Sequence, residues 1–246
     1  MKKKSFIYLS FLLAGIFLIS LSSAFYLSLP DVKSLQKQNP KKTSLIEFRK
    51  TDAKKGGKTI NIKMQWVSFK EIPDLLKHSI RITEDASFYW HKGIDFEEIK
   101  EALKKNIKMK RLARGGSTIT QQLAKNLYLS PKKSIFRKIK EICIARRLEK
   151  SLSKDRIFEL YLNVIELGPG IFGVGAASKH YFNRKPSELS LEEIVRLTAI
   201  IPRPLKEKPT GSSRWLKWRC AWILHKLRLY KYISDEEYKQ TLSSFN

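Results

Sequence analysis

The stretch that most limits what this chain can become lies near its start. From Phe6 to Leu29 there are 24 residues and not one charge. Lys2, Lys3 and Lys4 precede the run, and Pro30 and Asp31 close it. A helix needs about 20 predominantly apolar residues to cross a bilayer. Lysines ahead of such a run favour a cytoplasmic N-terminus and an exported remainder. The alternative is a cleaved signal peptide, with Ser22-Ser23-Ala24 as the small-residue cleavage site. Signal peptides usually carry an apolar region of only about 7–15 residues, so the length favours an anchor. Either reading places the rest of the chain outside the cytoplasm. The expected organisation is a basic cytoplasmic tail at 1–5, a transmembrane anchor at 6–29, a linker at 30–60 and a single domain at 61–246.

Charge narrows the partners. The chain holds 49 Lys and Arg against 23 Asp and Glu, a net charge of +26. Such an excess favours a polyanion: nucleic acid, an anionic membrane surface or a phosphate-bearing substrate. Export argues against nucleic acid. The two cysteines, Cys143 and Cys220, form no disulfide framework and read as buried thiols. Together with four scattered histidines they show no zinc-ligand spacing.

Residues 31–60 are polar and basic, which suggests the linker, and "TINIKMQWV" (59–67) suggests a short strand. Beyond it the helical period dominates. Apolar stripes run through Phe96, Ile99, Ala102 and Leu103, and through Ile135, Ile139, Ile142, Ala145, Leu148 and Leu152. A third runs through Ile157, Leu160, Tyr161 and Val164. Capping-box spacing marks helix starts at Thr118 with Gln121, Ser190 with Glu193 and Ser234 with Glu237. The expected fold class is mainly α, with no internal repeat.

Three polar clusters carry chemistry. In "RITEDASFYWHKGID" (81–95), Glu84 and Asp85 precede Phe88, Tyr89, Trp90 and His91. A carboxylate beside aromatic rings is desolvated, which raises its pKa and suits it to act as a base. The plain alternative is an acidic helix start. In "RGGSTITQQLAKN" (114–126), two glycines and a capped helix N-terminus suit anion binding. Gln122 and Lys125 share one face, and Ile119 and Leu123 another. In "RKIKEICIARRLEK" (137–150), Arg137 and Glu141 are four apart and pair on one face, which alone reads as a surface salt bridge. "SLSK" (151–154) fits the Ser-x-x-Lys pattern of penicillin-binding acyl transferases, but the companion elements are missing downstream and the match is set aside as chance.

In sequence order these segments resemble the glycosyltransferase domain of bacterial peptidoglycan polymerases: the monofunctional biosynthetic transglycosylases and the first domain of bifunctional penicillin-binding proteins. "EDASFYWHKG" resembles the first motif, "GGSTITQQLAKN" the second and "RKIKEICIARRLE" the third. "RIFELYLNVIELGPGIFGVGAASKHYF" (156–182) resembles the fourth and fifth, and "LSLEEIVRLTAIIPRP" (189–204) the closing helix. Five ordered motifs over roughly residues 66–204 are specific where any one alone is weak.

The resemblance implies a lysozyme-like helical domain that polymerises lipid II into β-1,4 glycan with inversion, releasing undecaprenyl pyrophosphate. It implies Glu84 as the general base and Glu141 as a second essential carboxylate near the donor. Lys125 and Arg137 match pyrophosphate-contacting positions. Asp85, Phe88, His91, Ser117, Thr118, Gln121, Gln122 and Asn126 match positions that shape the cleft, His91 as a hydrogen-bonding strut. No tightly bound cofactor is implied, though a divalent cation, Mg or Mn, is admitted near Glu141. The implied partners are lipid II, the growing glycan chain, the inner membrane and other wall-synthesis proteins such as penicillin-binding proteins. The implied location is a single-pass protein of the cytoplasmic membrane. The basic-apolar segment 104–116 lies where the family touches the membrane. No transpeptidase domain is expected in the residues after Pro204. Gly175 departs from the pattern, since many relatives carry Glu there. Trp215, Trp218 and Trp222 suggest a helix that packs on the core, or else one that meets a membrane or partner. A wall-cleaving hydrolase would need neither Lys125 and Arg137 nor an anchor, and a non-catalytic scaffold would have no use for intact carboxylates.

Overall fold

A computed structural model describes residues 2–109 and 116–245. Its helices and strands follow one another as α1 (Lys2–Leu27), α2 (Ser44–Lys55), β1 (Lys63–Met64), α3 (Asp74–Glu84), α4 (Phe96–Met109), α5 (Ile119–Tyr128) and α6 (Ile135–Ser151). Then come α7 (Lys154–Val164), β2 (Glu166–Gly168), β3 (Ile171–Phe172), α8 (Gly173–Phe182), α9 (Leu191–Ala199), α10 (Arg214–Leu229) and α11 (Asp235–Ser243). The three short strands form one small sheet in the order β1-β3-β2, with β1 parallel and β2 antiparallel to β3. The fold is mainly helical, as the period of the sequence indicates.

The core centres on α5, which packs against α6 on one side and α7 on the other. Ile119, Leu123 and Ala124 of α5, Ile144, Ala145 and Leu148 of α6, and Ile157, Leu160, Tyr161 and Val164 of α7 are all buried. Burying a Leu or Ile contributes about 1.5–3 kcal/mol, so these three stripes suffice to fix the trio. The capping boxes at Thr118, Ser190 and Ser234 all form. Each satisfies backbone N–H groups that a helix start leaves without partners.

Several expectations need correction. The stretch 30–60 is not a plain linker: it holds a 3-10 turn (Lys33–Gln36) and the whole of α2. Leu35 joins the main core, while Leu45 and Ile46 pack on Phe172. Arg49 of α2 also grips Glu166 through two bonds of 2.7 Å. So few apolar residues leave a weak helical signature, yet they dock the segment firmly. The α4 stripe is covered only in part: Phe96 is 67% exposed, while Ile99 and Ala102 are half-buried. The stripe of α6 is buried only in its C-terminal half, and Ile135 and Ile139 face outward. Residues 110–115 of the basic-apolar segment lie outside the described residues.

At the N-terminus α1 forms and presents apolar side chains such as Phe11, Leu12, Ile16 and Phe17 outward. Among the described residues no helix is long and apolar enough to cross a membrane; the side chains of residues 2–6, 9, 10 and 22 are outside that description. Arg147 of α6 holds the end of α1, donating to the carbonyls of Tyr26 at 2.7 Å and Leu29 at 3.1 Å and stacking on the Tyr26 ring. A cation there also complements the negative end of the helix.

Gly175 has a structural reason. A Cβ there would lie 2.6 Å from both the Gln65 carbonyl oxygen and Val67 Cγ2. The segment after β1 presses onto α8 where a side chain would otherwise stand. Asn163 fixes that segment by bonding both the N–H and the carbonyl of Val67.

Candidate active site

Glu84 is the last residue of α3, and the chain turns sharply at Asp85 (φ −166°, ψ 80°). The turn sends the two carboxylates in different directions. Asp85 is buried at the N-terminus of α5, accepting from the Ile119 N–H at 2.9 Å and from His91 Nε2 at 3.0 Å. His91 Nδ1 accepts from the Gly93 N–H at 3.0 Å, so both ring nitrogens are committed to structure. Gly93 takes φ +87°, and its carbonyl accepts from Thr118, the cap of α5. A residue with a Cβ is strained at such a φ. Phe88 is fully buried behind this loop, against Phe158.

Lys154, the lysine of the Ser-x-x-Lys pattern, works here as a brace. It donates to the His91 carbonyl and to Glu149 at 2.7 Å each and lies over the Phe88 ring. Glu149 in turn accepts from Thr120 of α5 at 2.6 Å.

Glu84 points toward α5 and α10. Gln122 Nε2 donates to its Oε2 at 3.1 Å, and Arg219 stands 3.9 Å from Oε1. The Tyr161 hydroxyl donates to Gln122 Oε1 at 3.1 Å, which turns the amide N–H₂ toward Glu84. Burial pushes the Glu84 carboxyl up from its ordinary value, and Asp85 adds to the rise. The Gln122 hydrogen bond, then Arg219 and Lys125, pull the other way.

Glu141 sits on α6 with its side chain only 4% exposed. Arg137 donates to one oxygen at 2.6 Å and Lys138 to the other at 2.5 Å. What the sequence presents as an ordinary surface pair is a buried carboxylate clamped by two cations. Lys138 reaches further, to Ser117 Oγ at 3.0 Å and Gln121 Oε1 at 3.5 Å, joining α6 to the start of α5. The Nε of Arg137 is buried without a partner among the described residues, one donor of the guanidinium left unspent.

Lys125 lies between the two carboxylates. Burial lowers its pKa, Glu141 and more weakly Glu84 raise it, and Arg137 and Lys138 lower it. Its ammonium makes no hydrogen bond or ion pair among the described residues, so it is available.

The structure therefore gathers Glu84, Gln122, Lys125, Arg137 and Glu141 around one side of α5 and α6. Asp85, Phe88, His91, Thr118 and Gln121 stand behind them as support, and Ser117 lies at the edge. Asn126 is buried on α5 and makes no side-chain hydrogen bond among the described residues. Sequence reading missed Lys138, Tyr161 and Arg219. Lys138 is three residues before Glu141 and was open to the same spacing argument as Arg137. Tyr161 reads only as an apolar stripe member, and Arg219 carries no local signal.

The residues present do not make a resident metal site. Both Glu141 oxygens are taken by cations. Among the described residues no three His, Cys, Asp or Glu group to hold an ion.

A family model described as Transglycosylase matches residues 48–228. The biosynthetic peptidoglycan transglycosylase of Dechloromonas aromatica (strain RCB) is 43% identical over 189 residues, covering 77% of this chain and 82% of that protein. The protein of the same description from Alcanivorax borkumensis is 40% identical over 220 residues, covering 89% and 86%. Among solved structures, penicillin-binding protein 1A from Haemophilus influenzae aligns with a TM-score of 0.45 at 22% identity, over 75% of this chain and 18% of that one.

Proposed function

The chain belongs to the transglycosylase family, and from that premise we propose that it polymerises lipid II into β-1,4 glycan strands for the cell wall, with Glu84 as the base. The observation that carries the reading is the placement of one desolvated carboxylate, Glu84, across from a cluster of cations with unused donors, Lys125 and Arg137. Glu84 takes the proton from the 4-hydroxyl of the acceptor sugar. The freed oxygen attacks the anomeric carbon of the donor, and the bond from that carbon to the pyrophosphate oxygen breaks. Attack opposite the leaving group turns an α-linked donor into a β-linked product.

The leaving group gathers negative charge as it departs. Donors already aimed at that charge, in a site shielded from water, stabilise it without reorganising. Lys125 supplies a point charge and Arg137 a planar fork suited to phosphate oxygens. Glu141 holds Arg137 and Lys138 in place, so its role in this reading is to position cations rather than to move protons. Gln122, aimed by Tyr161, keeps Glu84 oriented.

The same reading puts α1 in the cytoplasmic membrane as a single-pass anchor with the catalytic domain outside. The uncharged run, the three lysines before it and the +26 charge support it. The substrate is itself lipid-borne and carries phosphates, which a basic domain attracts.

The test is incubation of the detergent-solubilised protein with lipid II beside a Glu84→Gln variant. Polymer from the first and none from the second is the expected result. If neither consumes lipid II while folded, the reading fails, and cleavage of pre-formed glycan alone would point to a hydrolase.

A further inference from the structure

A groove of about 830 Å³ opens between the end of α1 and the outer face of α6. Leu21, Phe25, Leu29, Phe136, Ile139 and Cys143 give it an apolar floor, and Phe25 meets Phe136 edge-on at 5.8 Å. Arg146 and Lys150, both exposed, continue the same stripe of α6 beyond the floor. None of the lining residues is acidic. An apolar trough ending in two cations that have no ionic partner among the described residues fits an amphiphile with hydrocarbon chains and an anionic head.

We propose that this groove binds one anionic phospholipid, its acyl chains on Phe136, Ile139 and Cys143 and its phosphate between Arg146 and Lys150. The inference rests on α1 lying in a bilayer, as proposed above. Charge complementarity selects an anionic head over a zwitterionic one. The turn of the helix selects a phospholipid over the substrate's own carrier. At 3.6 residues per turn, Phe136, Ile139, Cys143, Arg146 and Lys150 lie on one side of α6. Arg137 and Glu141 lie on nearly the opposite side, so the body of the helix separates the groove from the cations that face the reaction. Such a lipid ties the domain to α1 and covers Ile139 and Phe136, which are otherwise exposed at 47% and 59%.

The test uses the full chain in mild detergent with equal amounts of phosphatidylglycerol, phosphatidylcholine and undecaprenyl phosphate, the retained molecules being weighed by native mass spectrometry. One phosphatidylglycerol per chain is expected. Retention in an Arg146→Ala/Lys150→Ala variant should fall roughly 30-fold, the effect of two basic side chains at an anionic lipid head. A Cys143→Trp variant, which fills the trough and keeps both charges, should lose it as well. Polymerisation of lipid II in detergent should be unchanged in the double variant. Equal retention of phosphatidylcholine, or undiminished retention in both variants, overturns the proposal. Preferred retention of undecaprenyl phosphate overturns it too, in favour of the substrate's carrier. A chain that retains phosphatidylglycerol but makes no glycan would sink the enzymatic reading and leave this one standing.

Discussion

Glu84 and Glu141 are the same residue type on two helices that flank the cleft, and the fold surrounds them in opposite ways. Glu84 is desolvated with one neutral hydrogen bond from Gln122 and a cation no closer than 3.9 Å. Glu141 is more deeply hidden, its side chain 4% exposed against 12% for Glu84, but meets Arg137 and Lys138 at 2.6 and 2.5 Å. Under-compensated burial leaves Glu84 a poorly stabilised anion that gains by taking a proton. Glu141 instead has a direct ionic partner for each of its oxygens. Environment, not residue type, separates a base from a positioning group.

The largest effect should come from removing the base. Glu84→Gln keeps the shape and the Gln122 contact yet cannot accept a proton, and general bases contribute roughly 10²–10⁴-fold. Polymerisation of lipid II should fall by at least the lower figure with helicity unchanged. Glu141→Gln should also lose activity, but with a cost in stability that Glu84→Gln lacks. Breaking a buried pair by removing one partner costs about 3–5 kcal/mol. Lys138 keeps solvent contact at 40% exposure, so a loss nearer about 2 kcal/mol is expected here. A Glu141→Gln protein as stable as its parent in urea would show that the clamp is not what holds that carboxylate.

The two sites were not equally open to sequence reading. Arg137 and Glu141 are four apart on one helix, so their pairing follows from the period, although their burial does not. The partners of Glu84 come from α5 and α10, with α7 aiming Gln122 through Tyr161, and no local pattern joins Arg219 to it. The helices α5 to α7 announce themselves because their apolar stripes are dense and their caps are explicit. Helix α2 hides because its docking needs only Leu45, Ile46 and the Arg49–Glu166 pair. The outward half of the α6 stripe misleads for a related reason. Periodicity reports that a face is apolar, not whether protein or lipid covers it.

Arg219 offers a milder way to sharpen the contrast. It pulls the Glu84 pKa down against burial, so Arg219→Leu should let the pKa rise further. The acid limb of the kcat/KM profile should move to higher pH. Activity should fall several-fold on the acid side and little on the alkaline side. A uniform loss at every pH would assign Arg219 to substrate binding instead.

The smallest effect is on stability, and its sign is the informative part. The folded-state pKa of Glu84 is raised, so its contribution to stability is fully present below the unfolded value and is lost as pH rises through the folded one. Burying Glu84 is therefore a burden on the native state once the pH is above the unfolded value. Glu84→Gln removes that burden, so its Tm should match the parent near pH 4 and exceed it at pH 8. Glu141 makes a contrasting case through its contacts: Glu141→Gln removes the partner of Arg137 and Lys138 and should lower Tm. Thermal melts of both variants at the two pH values compare the carboxylates directly. A Glu84→Gln protein that melts below its parent at pH 8 would mean that Gln122, Arg219 and Lys125 already compensate the buried charge, and the asymmetry between the two carboxylates would be gone.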